Sequence, residues 1–524
     1  MYTKSIIWRF VVAIAICSAA LILSTACDNT DDEIVKDADI TVSNQNDLKQ
    51  AAYADEPSTG NGITFTAKDN WLANVKANGG GNASWVKLTI NGVETYSGSA
   101  GTYNLVITVE TNYTGAKREA TVEIVCGTDR ITVTVAQEGT TKGGDKPTQN
   151  PVELKSPITT STTLKALGLP VDYIYTGNNQ LEVKDNATLT IEPGVTIQFT
   201  NNGRTGGIII RSGSTIKAVG TADKRIKFLG AYEAKGTWQG IELQSNTDNQ
   251  FAYCDFLNMG HMARTDYGGL QFTNAKVAIT HCKLTNGLGT GIRFSSTELS
   301  AFNNNVFESY ADFPPIEMRG EYALQSAQKF DMTSDFTKNG KLYIEIDPYY
   351  TRSDITLNQT SVPYYFTSGP GSLNLLWNTL TINAGVTIYI KDGMDFNSSA
   401  GESAGRLMIN GTADKKVRFT RLPGSSLYWG AVSFHGLKGS VINHCIFEYG
   451  GRVQTNNAII QIRSTTELTL NNVAINNSDS YGAMLWSSAN GYKLTHNNVT
   501  FSNCRQGNVW DTRTNPPVIR THFP

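Results

Sequence analysis

Short runs in which apolar and polar residues alternate, separated by Gly, Asn and Asp, fill the chain from Ile40 onward. Alternation at period two turns one side of each run toward a core and the other toward solvent, so the runs are read as strands. Up to Gly139 they are Ile63-Thr-Phe-Thr, Trp71-Leu-Ala-Asn-Val75, Trp85-Val-Lys-Leu-Thr-Ile90, Leu105-Val-Ile-Thr-Val109, Ala120-Thr-Val-Glu-Ile-Val125 and Ile131-Thr-Val-Thr-Val135. Short strands at this spacing predict a β-sandwich.

Beyond residue 150 the pattern changes. Apolar pairs flanking a single residue recur as Ile241/Leu243, Leu270/Phe272, Ile292/Phe294, Ile316/Met318 and Ile344/Ile346, separated by 29, 22, 24 and 28 positions. A second ladder runs through Phe256, Leu284 and Phe307, and a third through Phe447, Ile475 and Phe501. Coils of this length, each stacking its inward side chains on the next, predict a parallel β-helix. A β-propeller needs similar blades of about 40 residues, which this period does not supply.

The region has also copied itself. Leu189-Thr-Ile-Glu-Pro-Gly-Val-Thr-Ile197 returns as Leu380-Thr-Ile-Asn-Ala-Gly-Val-Thr-Ile388, so Gly385 follows Gly194 by 191 positions (385 − 194). The same offset pairs Trp238 with Trp429, Cys254 with Cys445 and Gly260 with Gly451. The fold class is therefore all-β, an N-terminal sandwich followed by a duplicated right-handed parallel β-helix. Boundaries fall at 1–27 (signal and lipidation site), 28–38 (acidic tether), 39–140 (sandwich), 141–152 (polar Gly/Pro linker) and 153–524 (the two copies).

Composition adds an address. Lys4 and Arg9 precede the apolar run Phe10 to Leu23 and then Ser24-Thr-Ala-Cys27, the pattern of a secretion signal. Small residues before Cys27 resemble a bacterial lipobox, which implies lipidation of Cys27. The following Asp28-Asn-Thr-Asp-Asp-Glu33 resembles the acidic tether of Bacteroidetes surface lipoproteins. Together they imply a lipid-anchored protein on the outer face of the outer membrane, and a monomer is expected. A net charge of −2 gives no electrostatic case for nucleic acid. Cys254, Cys282 and Cys445 occupy apolar positions of the repeat, which predicts buried free thiols rather than disulfides.

The order Trp71, Trp85, Asn112 to Arg118, then Ile131-Thr-Val-Thr-Val-Ala-Gln-Glu-Gly139 resembles the BACON domain of Bacteroidetes surface proteins. That resemblance implies a spacer or carbohydrate-associated module, and Trp71 and Trp85 read better as core residues than as sugar platforms. The solenoid resembles, at the level of fold alone, the right-handed β-helix group that includes pectate lyases and polygalacturonases. None of their catalytic motifs matches here, so chemistry has to come from exposed columns.

If Ile241 and Leu243 point inward, Glu242 points out, and Gln271, Arg293, Glu317 and Glu345 follow on successive coils. Two readings of this column stand open: a screened ladder of surface charges, or a glycan-cleaving groove. In the second, Glu317 and Glu345 are the acid/base pair and Arg293 clamps a uronate. The copy offers Gln461, His435, Arg463 and Trp486 near the corresponding face. Trp238 and Trp429, kept in both copies, read either as platforms for sugar rings or as caps inside a corner. Tyr349-Tyr350 and Tyr364-Tyr365-Phe366 read as a plug between the copies. No phosphate loop, metal cluster or cofactor motif is present in the sequence.

The leading expectation is thus a surface lipoprotein that captures a polysaccharide through Trp238, Trp429, Glu242, Gln271, Gln461 and Trp486. The alternatives are a polysaccharide lyase or glycoside hydrolase acting on acidic glycans through Arg293, Glu317 and Glu345, and an adhesin or structural surface protein.

Overall fold

The alternating runs become strands because each has one row of side chains that only a core can take up. The computed structural model describes residues 38–524 apart from 61, 79–82, 201–205, 261–267, 311, 349–350, 352, 368–371, 376, 399–404, 437–438, 454–457, 464–465 and 489–490. Cys27, the signal and the start of the acidic tether lie outside the described residues, as do Tyr349 and Tyr350. The chain divides into two units, one ending at Thr148 and the other beginning at Gln149.

The first unit is two five-stranded sheets. Trp71 is fully buried, edge-on to Phe65 and Tyr103 with ring centroids 5.1 Å away in each case. The residues that carry the BACON resemblance meet in one polar cluster. Arg118 starts the strand Arg118–Cys126, lays its guanidinium 4.3 Å over the Trp85 ring and donates to Gln137 Oε1 at 2.8 Å. Gln137 is buried and donates to the Glu110 carbonyl at 3.0 Å, while Asn112 donates to Ala116 and Glu138 carbonyls. Buried amides need such partners, so the signature is explained by satisfied hydrogen bonds closing one end of the sandwich.

The second unit is a parallel β-helix of about twelve turns. A coil of the first copy typically contributes three strands, for example Thr188–Ile191, Thr196–Phe199 and Gly207–Ile210. Leu189, Ile191, Ile197, Phe199, Ile208 and Ile210 are buried, and their equivalents above and below form the columns of one continuous core. Gly194 and Gly385 take the corner after the first strand with φ of +88° and +81°, a conformation that side chains with a Cβ resist. Asn258 and Asn286, with φ of +61° and +55°, turn the next corner, and the Asn286 amide donates to Asn258 Oδ1 at 2.6 Å. Asn503 to Asn477 repeats that amide ladder in the second copy, where Asn471 to Asn443 adds another at the corner after the first strand.

The described cysteines are free, and Cys126, Cys254, Cys282 and Cys445 are buried. Burial pushes the thiols of Cys254 and Cys445 well up, so they are inert fillers of the core.

The two copies do not stack face on equivalent face. First strands stay in line: after Glu298–Asn303 the short helix Ala323–Ala327 takes one rung, and the stack resumes with Ile355–Leu357 and Thr379–Asn383. The Leu299 amide donates to Ser326 on that helix at 3.0 Å. The next strand of the second copy, Thr387–Ile390, pairs through Tyr364–Phe366 with Ile344–Ile346, which belongs to the third-strand sheet of the first copy. The second-strand sheet of the first copy ends at Asp335–Lys338, and the third strands of the second copy form a new seven-stranded sheet with Ser372–Leu375 at one end. From the second strand onward the duplicate is therefore displaced by one face, while its first strands stay in line. Tyr364-Tyr365-Phe366, expected as a plug, is a rung: Tyr364 and Phe366 are buried in the core and Tyr365 points out.

Candidate functional site

One outward column runs the length of the third-strand face. Register places Glu242 beside Gln271, Gln271 beside Arg293, Arg293 beside Glu317 and Glu317 beside Glu345. Because of the face shift it continues through Tyr365 and Tyr389 to Thr420 in the second copy. The spacing of apolar pairs was enough to put the first five residues on successive rungs. It could not show where the column goes next, since alternation marks inside and outside but not which sheet a strand joins.

Within the column the charges are already engaged. Glu317 is buried, accepts from Arg293 Nε at 2.9 Å and Nη2 at 3.1 Å, and also pairs with Arg319. Both its oxygens are taken by guanidinium groups, and the Arg293 fork is spent on them. Glu317 is thus not the open acid/base partner expected, and Arg293 has no free fork for a uronate; the pair neutralises itself because burial penalises either charge alone.

Glu345 differs. Burial first, and the Glu317 charge second, hold its carboxyl above the ordinary range. Its surroundings are Thr367 Oγ1 at 3.5 Å, Tyr365, and Tyr343. The Tyr343 ring lies 5.0 Å edge-on from Tyr365, and its phenol is pushed up to about 12, mostly by burial. Glu242 is occupied by Gln244, which donates at 2.6 Å, and by Gln180 at 3.5 Å; Gln271 accepts from the Gly268 amide at 3.4 Å.

Trp238 and Trp429 are not platforms. Both are fully buried. Trp238 stacks on Phe199 at 4.6 Å with the planes 4° apart and donates its indole N–H to the Leu257 carbonyl at 2.7 Å. Trp429 donates to the Glu448 carbonyl at 2.8 Å, nineteen residues on in both cases (257 − 238 and 448 − 429). A sugar ring needs an exposed π-face, and these two fill an internal corner instead.

Gln461, Arg463 and Trp486 sit together on the new seven-stranded sheet, not on the face of Glu242 to Glu345. Gln461 is buried beneath its neighbours: Arg463 donates to its Oε1 at 3.0 Å and Trp486 Nε1 at 3.3 Å, and the Arg463 guanidinium lies 4.1 Å over the Trp486 ring. His435 directly follows the strand Val432–Phe434 of the same sheet, its imidazole pushed down by burial and by the Arg463 charge.

An open concavity lies elsewhere. Where the long column enters the second copy, a cleft of about 570 Å³ is lined by Tyr389, Thr420, Arg421, Glu448 and Tyr449, with the turn 422–426 as its far wall. The Arg421 guanidinium lies 4.1 Å over Tyr449 and 5.4 Å from the Tyr428 ring. Glu448 is neutralised by Arg418. Arg421 has no carboxylate in ion-pair range among the described residues. Among the described residues the cleft therefore offers aromatic edges, hydroxyls and a cation without a carboxylate partner, the complement of a sugar bearing an acidic group. Sequence reading missed Arg421 and Tyr389. The signal was in the offset: Gln198, Gly230 and Asn258 of the first copy become Tyr389, Arg421 and Tyr449 in the second. Among the described residues no group of three His, Cys, Asp or Glu is placed to hold a metal ion.

With this geometry in view, residues 159–285 match the family model described as a pectate-lyase like beta helix domain. Residues 66–138 match the BACON model, described as a putative binding domain. These two stretches are thus similar to a BACON domain and to a pectate-lyase-like β-helix, and the two together are consistent with a carbohydrate-related role. No curated protein matches the chain. One solved structure, a Bacteroides ovatus GH5 xyloglucanase in complex with a XXXG heptasaccharide, is 24% identical over 19% of this chain and 18% of its own, with a TM-score of 0.15.

Proposed function

We propose that this chain is a cell-surface lipoprotein, anchored through Cys27, whose β-helix binds a glycan at the second-copy cleft. The observation that carries the reading is the cleft itself: Arg421, without a carboxylate partner among the described residues and stacked on Tyr449, opens beside Tyr389 at the end of the outward column. Carbohydrate sites combine aromatic faces with a few fixed polar groups on a rigid scaffold, and a solenoid rung is such a scaffold. The anchored sandwich then acts as the module between membrane and solenoid.

Retention on a panel of immobilised neutral and acidic polysaccharides tests the reading. Binding is expected for at least one acidic polymer, with about tenfold weaker retention for the Tyr389→Ala/Arg421→Ala double variant, in line with the loss of a stacked and a charge-assisted contact. No retention of the intact protein anywhere on the panel would overturn it. Cys27→Ser is expected to abolish lipid labelling and protease accessibility on whole cells.

A second reading, a polysaccharide lyase or hydrolase, draws on Glu345, whose raised carboxyl suits a general acid. Its test is release of unsaturated uronides or new reducing ends from acidic polymers, lost in Glu345→Gln. Absence of product leaves the binding role.

A further inference from the structure

The second-copy cleft has a counterpart. Subtracting 191 from Tyr389, Thr420, Arg421, Glu448 and Tyr449 gives Gln198, Leu229, Gly230, Leu257 and Asn258, and all five line a cleft of about 600 Å³ on the first copy. Its wall is the turn before Trp238, with Tyr232 and Glu233, as the turn before Trp429 walls the other. The two concavities are therefore one inherited feature, formed wherever the second strand of a copy leads into the turn that carries the buried Trp.

Their linings have diverged while keeping the same chemical elements. In the first copy Leu229 and Leu257 make an apolar floor, Tyr232 stands half exposed at the edge, and Gln198, Asn258 and Thr285 supply polar groups. Asp255 is neutralised by Arg225 at 2.8 Å and Lys283 by Glu308 at 3.1 Å. Lys227 has no carboxylate in ion-pair range among the described residues, because Leu257 stands where Glu448 pairs with Arg418 in the second copy. Among the described residues, each cleft thus holds an aromatic side chain at its edge and a cation with no carboxylate in ion-pair range: Lys227 in the first, whose wall also carries Glu233, and Arg421 in the second.

We infer that the β-helix carries two glycan sites, one per copy, each taking a sugar with an acidic substituent. This rests on the glycan reading above. The face shift decides how they work together. The first-copy cleft lies on the sheet of Thr196–Phe199 and Ile226–Gly230, whereas the second-copy cleft lies on the continuation of the sheet of Gly240–Leu243. One straight polymer strand cannot run along both, so the sites hold separate chains, or separate segments of one bent chain, and an anchored molecule cross-links the polymer it captures.

Isothermal titration of the whole secreted chain with hexagalacturonate tests this. Two sites per chain are expected. Lys227→Met/Tyr232→Ala and Arg421→Met/Tyr449→Ala should each reduce the count from two to one, leave circular dichroism unchanged, and together abolish binding. Each double variant should also lose the ability to aggregate long polygalacturonate. A single site removed by one double variant and untouched by the other overturns the pairing while leaving a glycan site standing. No hexagalacturonate binding overturns the acidic-sugar inference even if the protein is retained on a neutral polymer. Loss of all retention on the polysaccharide panel would instead sink the parent reading.

Discussion

At the scale of single residues, two carboxylates of the solenoid are opposite in character. Glu345 is held above the ordinary carboxyl range, mainly by burial and next by Glu317. A raised folded-state value means that ionisation costs stability: the cost is absent below the unfolded value of about 4.3 and grows as pH rises through the folded value. Glu345→Gln should therefore raise the melting temperature at pH 7, with the gain vanishing near pH 4. A lower melting temperature at pH 7 would mean that its hydrogen bond to Thr367 outweighs the burial. Asp511 is the reverse. Its side chain is fully buried, takes both prongs of Arg513 at 2.8 Å and accepts from Arg520 at 2.9 Å, and these bonds hold its carboxyl far below the usual range. Its stabilisation is present above the unfolded value of about 3.9 and is lost as pH falls below it. Asp511→Asn is expected to cost about 2–3 kcal/mol at neutral pH, measured by urea unfolding, because two guanidinium groups lose their partner.

At the scale of elements, the strand–turn unit around each buried tryptophan is the structural signature of the duplication. Trp238→Ala would empty a site stacked on Phe199 and leave the Leu257 carbonyl without its donor. Cavity costs for such truncations are about 3–5 kcal/mol, so the variant should unfold at markedly lower denaturant while folded molecules keep their glycan retention. Loss of retention with unchanged stability would restore the platform role. How far the sequence revealed this element follows from what side-chain pattern encodes. Inward pairs such as Ile241/Leu243 and corner residues such as Gly194 and Asn258 were legible because period and backbone sign leave a direct mark on residue type. Whether Trp238 lies inside or outside was not, since an aromatic next to an inward pair suits both an internal corner and a sugar. The engagement of Glu317 by Arg293 and Arg319 was equally hidden: register put the groups side by side, but which charges neutralise one another depends on burial.

At the scale of the whole molecule, the copy was visible in the chain and its one-face shift was not. The 191-residue offset relates residue to residue, whereas the shift is set at the junction, where the helix Ala323–Ala327 takes one rung and Tyr364–Phe366 joins the third-strand sheet. A stacked solenoid is stabilised by neighbour contacts and needs its open ends covered, because an unpaired final strand is a template for aggregation. The final parallel strand, Gly507–Asp511, is closed by Val518–Arg520 running antiparallel to it. Phe523 is buried, 5.6 Å from Phe501 and 5.7 Å from His496, so it plugs the end of the core column. Arg520 of the same segment supplies one of the bonds to Asp511. Removing residues 515–524 should therefore uncover the strand edge, the core end and a buried carboxylate together. Hydrogen exchange is expected to accelerate in Lys493–Ser502 and Gly507–Asp511, to fade within a few coils, and to leave Gly240–Leu243 at its original protection, with concentration-dependent self-association appearing in sedimentation. Uniform loss of protection along both copies would instead make the β-helix a single cooperative unit, with the two clefts coupled through its core.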